Sequence, residues 1–413
     1  MESSMGNLLI RDINRVYSPR EKFGEFNIYK NCSILIENGK IVKILEEDVE
    51  INALLLEKYE VLEGRGMSIL PGFVDSHTHP IFANTREAEF EMRNQGKTYL
   101  EIAKSGGGIK NSVKKLREIP EEKLYRLSKK RVKKFLEYGT TTIEAKSGYG
   151  LDTENELKML RVIKRLNNEL DLDIKSTFLG AHDIPEEFKD DRAGYIKLMV
   201  EVMLPKIKEE GLASAVDIFI EENYYSLDEA REYLNKAKEM GFDIHIHSDQ
   251  LTNNNGSVLA GEMKALSSAH LDFISDEGIK SMIEGGTVFT MLPGATFFIR
   301  VRNYAPARKI IEAGGTIAIS TNFNPGSCYS VSMPLMMSIA SIEMGLSADE
   351  LAWGATRGGA RALRLEDSIG SVEVGMNADL ILLDIRSLRD IPYMMGMNPV
   401  KTVIKGGKIV NPN

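Results

Sequence analysis

The sequence predicts an α/β fold, a (β/α)₈ barrel of the TIM type carrying a small β domain made from both ends of the chain. Three observations carry this prediction. Between roughly Leu70 and Leu365, short apolar segments alternate with amphipathic helical stretches, the signature of βα units around a parallel sheet. Both ends read instead as hairpins. The six histidines, His77, His79, His182, His245, His247 and His270, all fall in or beside strand ends, and in such barrels the chemistry sits at the carboxyl ends of the strands.

The elements follow in order. Ser33-Ile34-Leu35-Ile36-Glu37 and Lys40-Ile41-Val42-Lys43-Ile44 flank Asn38-Gly39, the dipeptide best suited to a two-residue hairpin turn at positive φ. Eight strand segments come next: Ile69 to Val74, Thr140 to Glu144, Ile174 to Leu179, Ala215 to Ile220, Phe242 to His247, Ser267 to His270, Thr287 to Leu292 and Thr316 to Ser320. Between the first two, Glu121 to Tyr138 spaces Leu124, Leu127, Val132, Phe135 and Leu136 along one helical side. The run Lys129, Lys130, Lys133 and Lys134 falls opposite, as a solvated face rather than a nucleic-acid site. Gly106-Gly107-Gly108 follows a helical stretch and reads as a loop, and no Gly-x-Gly-x-x-Gly turn supports an open, doubly wound sheet. Ala378 to Leu383, Lys401 to Lys405, Gly406-Gly407 and Lys408 to Val410 return to the hairpin style. The expected division is a small domain of residues 1–67 with 368–413, and a barrel of residues 68–367.

Composition narrows the function. A chain of 413 residues with 43% hydrophobic content buries a large core. Its 52 basic and 60 acidic residues leave a net charge of −8, which argues against affinity for nucleic acid or anionic membrane and for a small-molecule partner. Cys32 and Cys328 offer neither a zinc-knuckle spacing nor a disulfide framework. With no unbroken apolar run of about eighteen residues and no secretory leader, the expected place is the cytoplasm. A homodimer is expected, dimers being the commonest assembly.

The chemistry is concentrated in Phe73-Val74-Asp75-Ser76-His77-Thr78-His79-Pro80. Residues i and i+2 of a strand share a face, so both imidazoles can converge on one metal. A second pair, His245-Ile246-His247, strengthens that reading. His247 at the strand end is the candidate ligand, while His245 lies one layer deeper, as a ligand or as a hydrogen-bonded core residue. Imidazole donors with an open position suit one divalent metal, Zn²⁺ or Fe²⁺, that activates water for hydrolysis at neutral pH.

The block Leu70-Pro71-Gly72-Phe73-Val74-Asp75-Ser76-His77-Thr78-His79 resembles the first metal motif of the amidohydrolase superfamily, and Gly370 to Leu380 resembles its return into the terminal domain. Further stretches resemble the imidazolonepropionase family within it: Thr85 to Phe90, Lys146 to Leu151, Phe178 to His182, His245 to Gln250, Leu292 to Phe298 and Asn322 to Ser327. The resemblance covers nearly the whole chain. It implies a (β/α)₈ barrel with a β-sandwich from both termini, and hydrolysis of 4-imidazolone-5-propanoate to N-formimidoyl-L-glutamate in histidine degradation. It also implies that Arg86, Tyr149, His182, Gln250, Asn324, Gly326 and Ser327 surround the substrate. Arg86 can pair bidentately with the propionate, and His182 or His270 can steady the oxyanion formed at the ring carbonyl.

At one position the chain departs from the family. Where the eighth-strand motif presents a metal-binding aspartate, this sequence has Asn322. An amide can still lend a carbonyl oxygen to the metal set His77, His79 and His247, but it cannot act as a general base, a role worth about 10²–10⁴ in rate. An engineered substitution that traps a ligand, a natural subgroup in which His270 takes the proton, and a relative that binds without turnover are the three explanations. The competing functional readings are an aminohydrolase acting on another nitrogen heterocycle and a ligand-binding relative.

Overall fold

The computed structural model describes residues 7–46, 57–97, 101 and 107–410, and its strands form two eight-stranded sheets. On the N-terminal side, β1 (Leu8–Pro19), β2 (Phe26–Glu37), β3 (Lys40–Leu45), β4 (Glu60–Glu63) and β5 (Ser68–Pro71) belong to the first sheet. Asn38 and Gly39 turn the β2–β3 hairpin at φ 51° and 76°, closing on the pair Glu37 and Lys40. This is the conformation that the dipeptide favours.

The single strand expected from Ile69 to Val74 is two strands. β5 pairs with β1 in the first sheet, while β6 (Phe73–Thr78) opens the second. Gly72 makes the crossing, and only glycine fits there. A Cβ would lie 2.2 Å from Thr141 Oγ1, while its N–H donates to the carbonyl of Asp379 at 2.8 Å.

The second sheet continues through β7 (Thr140–Lys146), β8 (Asp173–Ala181), β9 (Ala215–Ile220), β10 (Asp243–Ser248), β11 (Ser267–His270), β12 (Val288–Met291) and β13 (Ile317–Ile319). Every neighbouring pair is parallel and in chain order, so this is the (β/α)₈ barrel. The segment after β13 closes it against β6. Ser76 N–H donates to Ser320 Oγ at 3.1 Å, Asn322 N–H to the carbonyl of His77 at 3.1 Å, and His79 N–H to the carbonyl of Phe323 at 2.8 Å. Closure therefore binds Asn322 to the His77-Thr78-His79 segment. β14 (Leu380–Leu383), β15 (Val400–Lys405) and β16 (Lys408–Val410) then return to the first sheet, where β14 lies beside β5.

The helix Glu121–Glu137 buries Leu124, Val132, Phe135 and Leu136 and exposes Lys130, Lys133 and Lys134, so the lysine run is a solvated face. Gly106 lies outside the described residues, and Gly108 precedes the helix Ile109–Glu118 at φ 87°. The barrel core gathers Phe73, Phe135, Phe178 and Phe289. A separate core of Leu8, Ile10, Ile34, Ile36, Leu380 and Ile404 underlies the terminal sheet. Cys32 and Cys328 are buried and unpaired. Among the described residues, no helix is long and apolar enough to cross a membrane.

Candidate active site

β6 and β10 deliver the imidazoles by simple alternation. His77 Nε2 lies 3.0 Å from His247 Nε2, and His247 Nε2 lies 3.4 Å from His79 Nε2. Ligand atoms of all three fall within 4.8 Å of one another. Burial first, and then the surrounding imidazoles and Lys146, hold His77 and His79 well below the usual imidazole range. Both shifts favour the neutral imidazole, the form that binds a metal. A proton on one ring can bridge only one of the gaps between them, whereas one cation at their focus satisfies all three lone pairs.

Asn322 completes the set. It sits at φ 51°, held by its N–H bond to β6 and by Asp75, whose carboxylate accepts from Thr321 N–H at 3.0 Å and from Thr321 Oγ1 at 2.6 Å. Its side-chain Oδ1 is buried without a hydrogen-bond partner among the described residues. A buried carbonyl oxygen left unpaired is costly, and a metal held by the three histidines gives it a partner. The donors present thus fit one divalent ion.

Behind the histidines runs a fully buried charge network. Lys146 Nζ lies 2.5 Å from Glu144 Oε1 and 2.7 Å from Asp217 Oδ2, and Asp217 Oδ2 lies 3.0 Å from His247 Nδ1. Burial opposes ionisation of Asp217, yet His247 and Lys146 hold its pKa below the usual carboxylate range. A carboxylate at Nδ1 keeps the proton there and turns the Nε2 lone pair towards the metal position. Glu144 Oε2 accepts from Thr78 N–H at 3.3 Å, so the same network also fixes the residue between His77 and His79.

Above the cluster lies a cavity of about 270 Å³. Arg86, Tyr149, His182, Gln250, Asn324, Gly326 and Ser327 all line it, together with His79, His247, His270 and Asn322. His245 does not. It is buried below, with Nδ1 2.8 Å from Ser267 Oγ, an arrangement that suits the core reading.

Local backbone explains several of these placements. Gly148, at φ 105°, brings its carbonyl within 2.9 Å of His182 Nδ1. A Cβ on Gly148 would lie 2.9 Å from the Leu179 carbonyl. Burial lowers the His182 pKa to about 4, and its ring stacks on His79 at 5.4 Å between centroids. Asn324 Oδ1 accepts from the N–H groups of Gly326 and Ser327, each at 2.8 Å, so Asn324 shapes the loop that presents them. Arg86 pairs with Glu89, its Nη2 lying 2.5 Å from Oε2. His270 lies at φ 74°, its ring 5.6 Å from that of His247. Such strain in a residue other than glycine gathers at functional sites.

Sequence reading gave no role to Glu144, Lys146 or Asp217: Glu144 and Asp217 stand inside a Thr-rich and an apolar strand with no local pattern to set them apart, and Lys146 opens a family stretch whose spacing does not reveal its partners. It also missed Glu221, which accepts from Leu251 N–H at 2.8 Å and from Asn254 Nδ2 at 2.6 Å, pinning the loop that carries Gln250.

The chain belongs to the amidohydrolase family, whose family model matches residues 68–410. Solved structures share the fold. The chain is similar to a 5-methylcytosine deaminase from Klebsiella pneumoniae liganded with phosphonocytosine, at TM-score 0.77 and 16% identity over 98% of both chains. It is similar also to a variant of an atrazine chlorohydrolase from Arthrobacter aurescens complexed with zinc and atraton, at TM-score 0.76 and 17% identity over 97% of this chain and 94% of that one. Within the family the chain groups with the imidazolonepropionases. It is 41% identical to that of Clostridium tetani over 412 residues, 98% of either chain. With that of Geobacillus kaustophilus it shares 42% identity over 393 residues, 95% of this chain and 92% of the other.

Proposed function

We propose that the chain is a metal-dependent cyclic-amide hydrolase that opens the ring of 4-imidazolone-5-propanoate to N-formimidoyl-L-glutamate, a step of histidine degradation. One observation carries this reading: a single cavity joins the histidine cluster to an arginine placed to pair with a carboxylate. His77, His79, His247 and the carbonyl oxygen of Asn322 would hold one ion, Zn²⁺ or Fe²⁺, since imidazole donors suit both. Bound there, the ion supplies Lewis-acid activation, lowering the pKa of water from 15.7 to about 7.

The chain's own groups bind, orient and move protons. Arg86 takes the propionate. The His182 Nδ1–H donates to the Gly148 carbonyl, so the neutral ring offers Nε2 as an acceptor for a ring N–H of the substrate. That tautomer has no donor left for an oxyanion, and His270 takes this role in the proposed reaction. Water adds to the ring carbonyl carbon and gives its proton to a ring nitrogen of His270, because an amide at position 322 cannot take it. The resulting imidazolium steadies the oxyanion. The proton then passes from His270 to the leaving ring nitrogen as the C–N bond breaks. The substrate gains one water, and the ring opens.

The same reading places the enzyme in the cytoplasm, where unpaired Cys32 and Cys328 stay reduced, as a homodimer. The Arg86→Ala variant tests the substrate assignment. KM for imidazolonepropanoate is expected to rise at least tenfold, the scale of a charge-assisted hydrogen bond. Undiminished affinity would favour an aminohydrolase acting on a different heterocycle.

A further inference from the structure

Glu89 and Arg93, four apart, share one side of the helix Glu87–Asn94, and Arg86 at its N-cap reaches the same side to pair with Glu89. Glu89 is thus the neighbour of two guanidinium groups, yet both of its oxygens are already engaged. Oε2 accepts from Arg86 Nε at 2.9 Å and Nη2 at 2.5 Å, and Oε1 accepts from the Gly108 N–H at 3.0 Å. Arg93 is left with a long contact from Nη2 to the Gly326 carbonyl, at 3.4 Å. Its Nη1 is buried and has no partner among the described residues.

Both arginines line the cavity above the histidines, and both lie against Gly326, where a Cβ would come within 2.4 Å of Arg86 Nη1. Charge balance sharpens the point. Arg86 and Glu89 together present no net charge to a ligand, whereas Arg86, Glu89 and Arg93 present one positive charge, the complement of a single carboxylate. A buried guanidinium nitrogen without an acceptor is costly, and a carboxylate is its strongest fit.

We propose that Arg93 is a second carboxylate-binding residue, sharing with Arg86 the propionate group of the substrate beside Gly326. The inference rests on the substrate reading above. It assigns to the pocket the net charge that the Arg86–Glu89 pair alone does not provide, and it makes the loop at Gly326 part of the carboxylate subsite.

The test compares Arg93→Met and Arg93→Lys with the unmodified full-length protein by two readouts. The first is turnover of imidazolonepropanoate against unsubstituted 4-imidazolone, which lacks the carboxylate. The second is calorimetric affinity for the stable probe 3-(imidazol-4-yl)propanoate against 4-propylimidazole, which lacks the carboxylate. For Arg93→Met, KM for imidazolonepropanoate is expected to rise about tenfold to hundredfold with kcat nearly constant, and probe affinity to fall by a similar factor. The two carboxylate-free compounds are expected to be unaffected, and Arg93→Lys to recover part of the loss. Equal losses with compounds that carry the carboxylate and compounds that lack it would overturn the proposal in favour of a role in holding Gly326, and so would unchanged KM and probe affinity. Arg93-dependent probe binding by a protein that fails to turn over imidazolonepropanoate would support the carboxylate subsite while contradicting the reaction.

Discussion

Asn322 offers a carbonyl oxygen where a carboxylate would offer a negative charge and a base. Its buried Oδ1 and its tether to β6 place it as a donor, but four neutral donors hold a dication less tightly than three with an anion. The Asn322→Asp variant is therefore expected to bind metal more tightly and to turn over about 10²-fold faster or more, the scale of a restored general base. Titration with a chelating competitor and steady-state kinetics read the two effects. Unchanged values would remove Asn322 from the site's chemistry. Asp272 ties the stability of the fold to pH. Burial pushes its carboxyl up to about 8, against the bonds it accepts from Thr296 and Ala305. Because the folded value lies above the unfolded one, its contribution to stability is complete below about pH 4 and is lost as pH rises through 8. The Asp272→Asn variant should lose less Tm than the parent between pH 5 and 9, and parallel curves would contradict this. The histidines were legible because alternation repeats within a few residues. Asp217 was not, since its meaning lies in a contact with His247 from another strand, and within β9 it resembles any polar break in an apolar run.

At the scale of elements, the barrel strands could be read from short apolar runs set between amphipathic helices, and β9 and β11 fall where those runs begin and end. β1 escaped notice. A register shift between Ile10 and Ile13, with Asp12 at φ 56°, interrupts its alternation, so a twelve-residue strand reads as a short apolar segment and a polar one. The split at Gly72 was equally hidden, because continuous hydrophobicity does not show where a chain passes from one sheet to another. Within the barrel, β7 and β9 carry the Glu144, Lys146 and Asp217 network that orients the ligands on β6 and β10. Removing the carboxylate that holds His247 is expected to weaken metal binding about tenfold to hundredfold. The Asp217→Asn variant, loaded with Co²⁺ and followed by its visible spectrum, reports both affinity and ligand geometry, and a spectrum and affinity like the parent's would sink the assignment.

The whole molecule joins a barrel to a sheet assembled from both chain ends, a division that the hairpin signals at the two termini made legible. What joins them was less visible. Lys405, on β15, lies 2.6 Å from Asp379 in the turn before β14 and 2.6 Å from Asp173 at the start of β8. Asp379 is buried, and burial raises its pKa even though Lys405 opposes the rise. Taking the lysine away strands a buried carboxyl, at a cost of about 3 kcal/mol. A denaturant midpoint for Lys405→Met equal to that of the parent would show that the two sheets do not depend on this link. In the proposed reaction, this fold presents a metal-activated site to imidazolonepropanoate. The most direct test follows the ultraviolet absorbance of that compound with chelator-stripped protein and with the same protein reloaded with Zn²⁺ or Fe²⁺. Loss of absorbance after reloading, and none after stripping, is the predicted result, whereas no loss with either metal, or loss that stripping leaves unchanged, would contradict it.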